Sequence, residues 1–249
     1  MKIIISPAKK MNCNTDEIAY KALPIFLEQA NTLKEYLKSL PLLELKDLFA
    51  CNEKIAELNY DRYQHMNLEQ GLTPALLAYE GIQYQYMAPQ VFTDSQWEYV
   101  EENLRILSGF YGILRPLDGV VPYRLEMQAK LKSDFCNNLY EFWSDKLYRE
   151  LVVDDNIILN LASKEYSKVI EPYLDEKTNF ITCVFGTLVE GKLKVKATEA
   201  KMARGEMVRY LAAENINDIE SIKKFHGLEF EYSEEYSGEK ELVFIKGNH

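Results

Sequence analysis

LSGFYGILRPLDGVVPYRLEM spans Leu107–Met127 and is the most heavily punctuated stretch of the chain. It holds Gly109, Gly112 and Gly119 together with Pro116 and Pro122, three of eleven glycines and two of eight prolines. Glycine reaches backbone angles closed to other residues, and proline fixes φ while removing a donor. The stretch therefore predicts a shaped irregular path, neither a helix nor an ordinary strand. Binding groups collect on such paths when a rigid frame holds them. Arg115 and Arg124 flank it and suit an anion, while Glu126, Tyr111 and Tyr123 add polar tips. The competing reading is a structural loop crossing the top of a sheet, with both arginines in water.

Outward from this path, the frame is written in short apolar runs. Lys2–Ile5, Ile157–Leu161 and Phe180–Phe185 are apolar on both faces, the pattern of strands covered from both sides. Leu193–Ala197 reads as a further strand after the Glu190-Gly191 turn, and Glu241–Lys246 as the last one. Helical stripes fill the first third. Apolar residues at steps of three and four run from Tyr20 to Leu40, Pro41 opens a second helix, and Asn52 caps a third. Thr73-Pro74 is expected to start a short helix that Gly81 ends. Ser95 and Glu98 form a capping box for a helix from Gln96 to Leu107, which delivers the chain into the glycine-rich path. Asn138 caps a helix through Leu151, the residues after Ser163 look helical as far as Pro172, and Thr198 caps the helix that follows Ala197. Neither repeat nor Gly/Ser linker interrupts this order. The expected fold is a mixed α/β chain forming a single domain over 1–249, a mixed β-sheet covered by helices.

Composition bounds the function. A formal charge of −10 and a pI near 5.0 argue against a protein that coats nucleic acid non-specifically, because phosphate binding needs clustered Lys and Arg. The opening MKIIISPAKK has too short an apolar core for a signal peptide, and no run is long enough to span a membrane. A cytoplasmic protein with no membrane partner is expected. Cys13, Cys51, Cys136 and Cys183 contain no CxxC pair, and His65, His226 and His249 are not at ligand spacing, so neither a metal nor another cofactor is expected.

Three other segments suit anions. Ser6, Lys9 and Lys10 follow the first strand, at the end where ligands collect in open α/β sheets. Asn160 to Glu165 pass from a strand through a polar turn towards a helix N-terminus, where free N–H groups point outward. Ser163 is weighed there as a cap against a nucleophile, and Glu165 joins Glu126 as a candidate general base. Lys192 to Arg209 carries six basic residues against Glu199 and Glu206, inside an acidic protein. Lys194 and Lys196 alternate with apolar neighbours, and Lys201, Arg204 and Arg209 follow on the helix. A solvated lysine face on an edge strand is the alternative.

The opening IISPAK, the central LSGFYGILRPLDGVVPYRLEM, the NLAS at Asn160–Ser163 and the late KMARGEMVRYL at Lys201–Leu211 together resemble the YaaA peroxide-stress protein family of bacteria. The resemblance runs to the final ELVFIK and so covers essentially the whole chain. It implies protection against hydrogen peroxide, linked to low free intracellular iron and limited oxidative DNA damage. It also implies a positively charged cleft and a DNA-binding helix-hairpin-helix, and it brings no enzymatic activity with it. Two positions compete for the helical hairpin. At Gly109–Gly112, Pro116 would interfere with the second helix; around Cys51-Asn52 there are two better helices and no glycine. Two functional readings follow: a stress protein that binds DNA, and an enzyme acting on a nucleotide or nucleobase. In the second, Arg and Lys would hold a phosphate-containing small molecule. Direct iron binding has little support from three unclustered histidines.

Overall fold

The computed structural model describes residues 1–13, 18–153 and 155–247; His249 lies outside them. From edge to edge the central sheet runs Phe230–Tyr232, Glu241–Lys246, Asn179–Val189, Ile157–Leu161, Lys2–Ile5, Leu104–Ser108 and Gly112–Leu114, with Lys192–Lys194 pairing on the far length of Asn179–Val189. The five inner strands are parallel, and antiparallel partners close both edges. Ile3, Ile4 and Ile5 lie in the middle and are fully buried. That burial is why the run is apolar on both faces. Lys2 satisfies its ammonium by donating to Glu102 O at 3.0 Å.

Strand order sets where a ligand can enter. From Lys2–Ile5 the chain moves to one neighbour at Leu104–Ser108 and later returns to the other side at Ile157–Leu161. The loops leaving the first strand and Ile157–Leu161 therefore diverge. A crevice at the carboxyl ends of the strands is expected at such a reversal.

Several local expectations change. The first helix begins at Leu27, not near Tyr20, because Ala22 bridges to Asp118 and Lys21 N–H donates to Leu117 O. Its buried stripe is Ala30, Leu33 and Leu37. Asn52 does cap Glu53–His65, accepting from Ile55 N at 3.0 Å. Thr73–Pro74 pairs with Gly119–Val120 and does open a short helix, Ala75–Ala78, with Pro74 at its N-cap; that helix ends at Tyr79, and Gly81 precedes the helix Ile82–Met87 rather than ending one. The capping box is Thr93 with Gln96, and its helix stops at Asn103. The next residues leave the helix because Leu104, Arg105 and Ile106 pair with Ile3, Ile4 and Ile5.

Downstream, the Asn138-capped helix breaks at Ser144, whose φ is +48°, and resumes at Lys146–Leu151. The helix after Ser163 is only Lys164–Ser167, and the last long helix, Ala197–Ala213, starts before Thr198. Leu107–Met127 itself is more regular than expected. Leu104–Ser108 and Gly112–Leu114 form an antiparallel hairpin. Gly112 has φ +73°, and a Cβ there would stand 2.6 Å from the Trp143 ring. The turn is a β-hairpin, so no helical hairpin is built at Gly109–Gly112.

Candidate functional site

A cavity of about 390 Å³ opens at the carboxyl ends of Lys2–Ile5 and Ile157–Leu161. Its floor is a staple between the two strand ends. Ser163 N–H donates to Ser6 Oγ at 2.8 Å, and Ser6 Oγ–H donates to Ser163 Oγ at 3.2 Å. Tyr84 OH donates to Ser6 O at 2.9 Å, tying Ile82–Met87 to the same turn. Ser163 makes no side-chain capping bond to the short helix it precedes, so its expected role as a cap is replaced by this staple. Asn160 is buried just beneath. Its Oδ1 accepts from Ala162 N at 2.9 Å and its Nδ2 donates to Thr182 Oγ1 at 3.2 Å, which shapes the turn from below.

Charged groups of both signs surround this floor. Lys9 Nζ sits 2.9 Å from Glu126 Oε2, and Arg124 Nη2 donates to Glu126 Oε1 at 3.1 Å, so one carboxylate bridges two cations. Lys10 pairs with Glu80 across the short Lys10–Met11 and Tyr79–Glu80 ladder. Glu165 has no cation bonded to it among the described residues; its Oε1 accepts from Gln128 N at 3.3 Å. Burial raises its pKa, and Glu126 adds to the shift, against the Gln128 N–H, Lys9 and the Met127 N–H. Lys201 and Arg204, one helical turn apart on Ala197–Ala213, complete the wall, and neither has a carboxylate partner among the described residues.

Unsatisfied donors set this cavity apart. Buried polar groups are nearly always hydrogen-bonded. Here Arg124 Nε, Arg204 Nε and Gln83 Nε2 are buried without an acceptor among the described residues, and all three residues line the cavity. Burial pulls the Arg204 guanidinium below its ordinary pKa. Its ionisable neighbour Cys183 is pushed up to about 12 by burial. The thiol thus stays neutral near pH 7 and supplies no counter-charge. The remaining wall is largely apolar, with Ala8, Ile82, Leu125 and the buried Tyr84, Tyr123 and Tyr166.

Tyr123 is fixed by a chain of hydroxyls. Ser108 Oγ accepts from Phe110 N at 3.1 Å and Tyr111 N at 2.9 Å, so its own proton goes to Tyr123 OH at 2.6 Å, and a hydrogen bond of 2.7 Å between the Tyr123 and Tyr79 hydroxyls continues the chain. Burial pushes Tyr123 up to about 12. It is neutral at physiological pH.

Not every residue expected at the site reaches it. Tyr111 is fully buried in the core, where its hydroxyl accepts from Val121 N at 3.2 Å. Arg115 serves the loop: its Nε and Nη2 contact Asp118 Oδ1 at 2.9 and 2.8 Å, and its backbone N–H donates to Asp118 Oδ2 at 2.9 Å. Asp118 is 1% exposed and its pKa is raised by burial despite these bonds. Lys194, Lys196 and Arg209 stand outside the cavity in solvent, with Lys196 paired to Glu199 at 3.1 Å. Gln83 and Glu80 were not anticipated, since a neutral amide and a lone acid in an unpunctuated segment carry no sequence signal. Arg115→Ala should cost about 3 kcal/mol in chemical denaturation, because it strands a buried carboxylate, while leaving the cavity intact.

Comparison with known proteins places nearly the whole chain in one family. The family model for the peroxide stress protein YaaA matches residues 1–236. A UPF0246 protein of Desulfitobacterium hafniense is 58% identical over 246 residues, covering 99% of this chain and 98% of its own. UPF0246 proteins of Lachnoclostridium phytofermentans and Pediococcus pentosaceus are 53% and 50% identical, each over 99% of this chain and over 97% and 98% of their own lengths.

Proposed function

The chain belongs to the YaaA peroxide stress protein family, and from that premise we propose that it is a cytoplasmic protein that binds DNA through this cavity. The observation that carries the reading is the set of buried donors on Gln83, Arg124 and Arg204 that have no acceptor among the described residues, beside the Lys201 ammonium, which has no carboxylate partner among them. Such donors call for an acceptor-rich anionic ligand, and phosphate oxygens are the acceptors that Arg and Lys serve best. Five cations against three carboxylates leave the cavity lining formally positive, by 5 − 3 = +2, within an acidic protein. Lys194 and Lys196 lie just ahead of the helix that carries Lys201 and Arg204, and they extend the cation set along the path a strand would take. For the helix-hairpin-helix, the pair Leu42–Leu48 and Glu53–His65 is the site to test, its short turn passing through Ala50 at φ +43°. Occupancy of DNA would place the protein where iron-dependent oxidation does its damage. The iron part of this reading rests on the family and not on ligands of its own: among the described residues no three His, Cys, Asp or Glu side chains gather as a metal site.

The test is the salt dependence of binding to a labelled oligonucleotide. A Lys201→Ala/Arg204→Ala variant should bind more weakly on every sequence, and its log–log salt slope should be shallower by roughly 0.9 for each cation removed on duplex. An unchanged affinity and slope in a folded double variant would sink the reading. The second reading, an enzyme acting on a nucleotide or nucleobase, is favoured by Glu165. A half-buried carboxylate of raised pKa beside two stapled hydroxyls has the character of a general base.

A further inference from the structure

We propose that the cavity holds one nucleotide unit turned out of its stack, with its phosphate on Lys201 and Arg204 and the amino-bearing edge of its base on Glu165. This deepens the DNA reading above and rests on it. The cavity is concave, and its volume falls within the ~300–1,000 Å³ range of small-molecule sites. A duplex backbone does not enter such a recess, whereas a single unstacked nucleotide does.

Lining chemistry names the two ends of the ligand. One end must accept hydrogen bonds. Gln83 and Arg204 come from two helices in such close approach that a Cβ on Gly205 would stand 2.1 Å from Gln83 O, and both line the cavity with Lys201. The other end must donate. Glu126 is already occupied by Lys9 and Arg124, but Glu165 has no cation bonded to it among the described residues and is engaged by the backbone N–H groups of Gln128 and Met127, which leaves further lone pairs of the carboxylate. A carboxylate with spare acceptor sites takes an exocyclic amine. It takes guanine best, since guanine offers a ring N–H and an amine side by side. Between these ends the apolar wall of Ile82, Tyr123 and Tyr166 supplies the surface on which a base packs. Phosphate alone would leave Glu165 unexplained, and a base alone would leave Lys201 and Arg204 unexplained.

Calorimetry on the full chain with 2′-deoxynucleoside 5′-monophosphates tests the assignment. The guanine nucleotide should bind about tenfold more tightly than the thymine nucleotide, which has no exocyclic amine, with adenine and cytosine between them. Glu165→Gln should reduce the guanine preference to within about threefold without weakening the binding of deoxyribose 5-phosphate; Arg204→Ala should weaken all of these ligands together. Equal binding of guanine and thymine nucleotides overturns the proposal and leaves a plain phosphate site. Binding of an oligonucleotide without any single nucleotide also overturns it, yet leaves the DNA reading standing. If neither nucleotide nor oligonucleotide binds, both fall.

Discussion

A Gly205→Ala variant is expected to lose about 3 kcal/mol or more of folding stability in chemical denaturation, a large effect for one methyl group. The methyl would stand 2.1 Å from Gln83 O and 3.0 Å from Met87 N, both backbone atoms of the Ile82–Met87 helix. A side chain could rotate away from such a contact. Here a helix must move instead, and Ala200, Ala203, Met207 and Val208 are buried along the same helix. Moving the two helices apart also separates Gln83 from Arg204, so ligand binding should fall with stability. Alanine is otherwise the better helix former by about 1 kcal/mol, so a stabilised variant would show that the helices do not approach this closely.

Arg204→Met should do the opposite: raise the stability of the free protein by about 1–2 kcal/mol while removing anion binding. Burying a charge is costly unless it is paired, and Arg204 has neither an acceptor for its Nε nor a carboxylate partner among the described residues. Methionine fills a similar volume without that cost. If Arg204 were a structural residue, its replacement would lower stability instead. Paired melts with and without ligand separate the two cases. The wild type should gain stability on adding nucleotide, and the variant should start higher and gain nothing.

How much of this was legible in the sequence varies by element, for physical reasons. Ile3–Ile5 and Ile157–Leu161 announced themselves because a parallel strand covered on both faces leaves no room for polar alternation. Leu104–Ser108 did not. Val100, Leu104 and Leu107 continue the three-and-four spacing of the preceding helix, and only pairing with the first strand decides against it. Within the site, Ser6, Lys9, Arg124, Glu126, Glu165, Lys201 and Arg204 were all marked by type and punctuation, and the fold brings them to one cavity. Arg115 was marked by the same logic and belongs elsewhere. Its partner Asp118 lies three residues on across Pro116, a spacing that suits a loop brace as well as an anion site. Gln83 was invisible because nothing about an amide in sequence tells whether its N–H₂ will find an acceptor.

The central place of Lys2–Ile5 has a consequence for synthesis. Its two neighbours in the sheet are Leu104–Ser108 and Ile157–Leu161, so this apolar segment leaves the ribosome long before either of its partners. At ~5–20 residues per second, the second neighbour appears roughly 8–30 s after the first strand. During that interval an uncovered run of three isoleucines is available to any other chain. Nascent-chain crosslinking from Ile4 should therefore report chaperone contact that ends abruptly once residues beyond Leu161 have emerged.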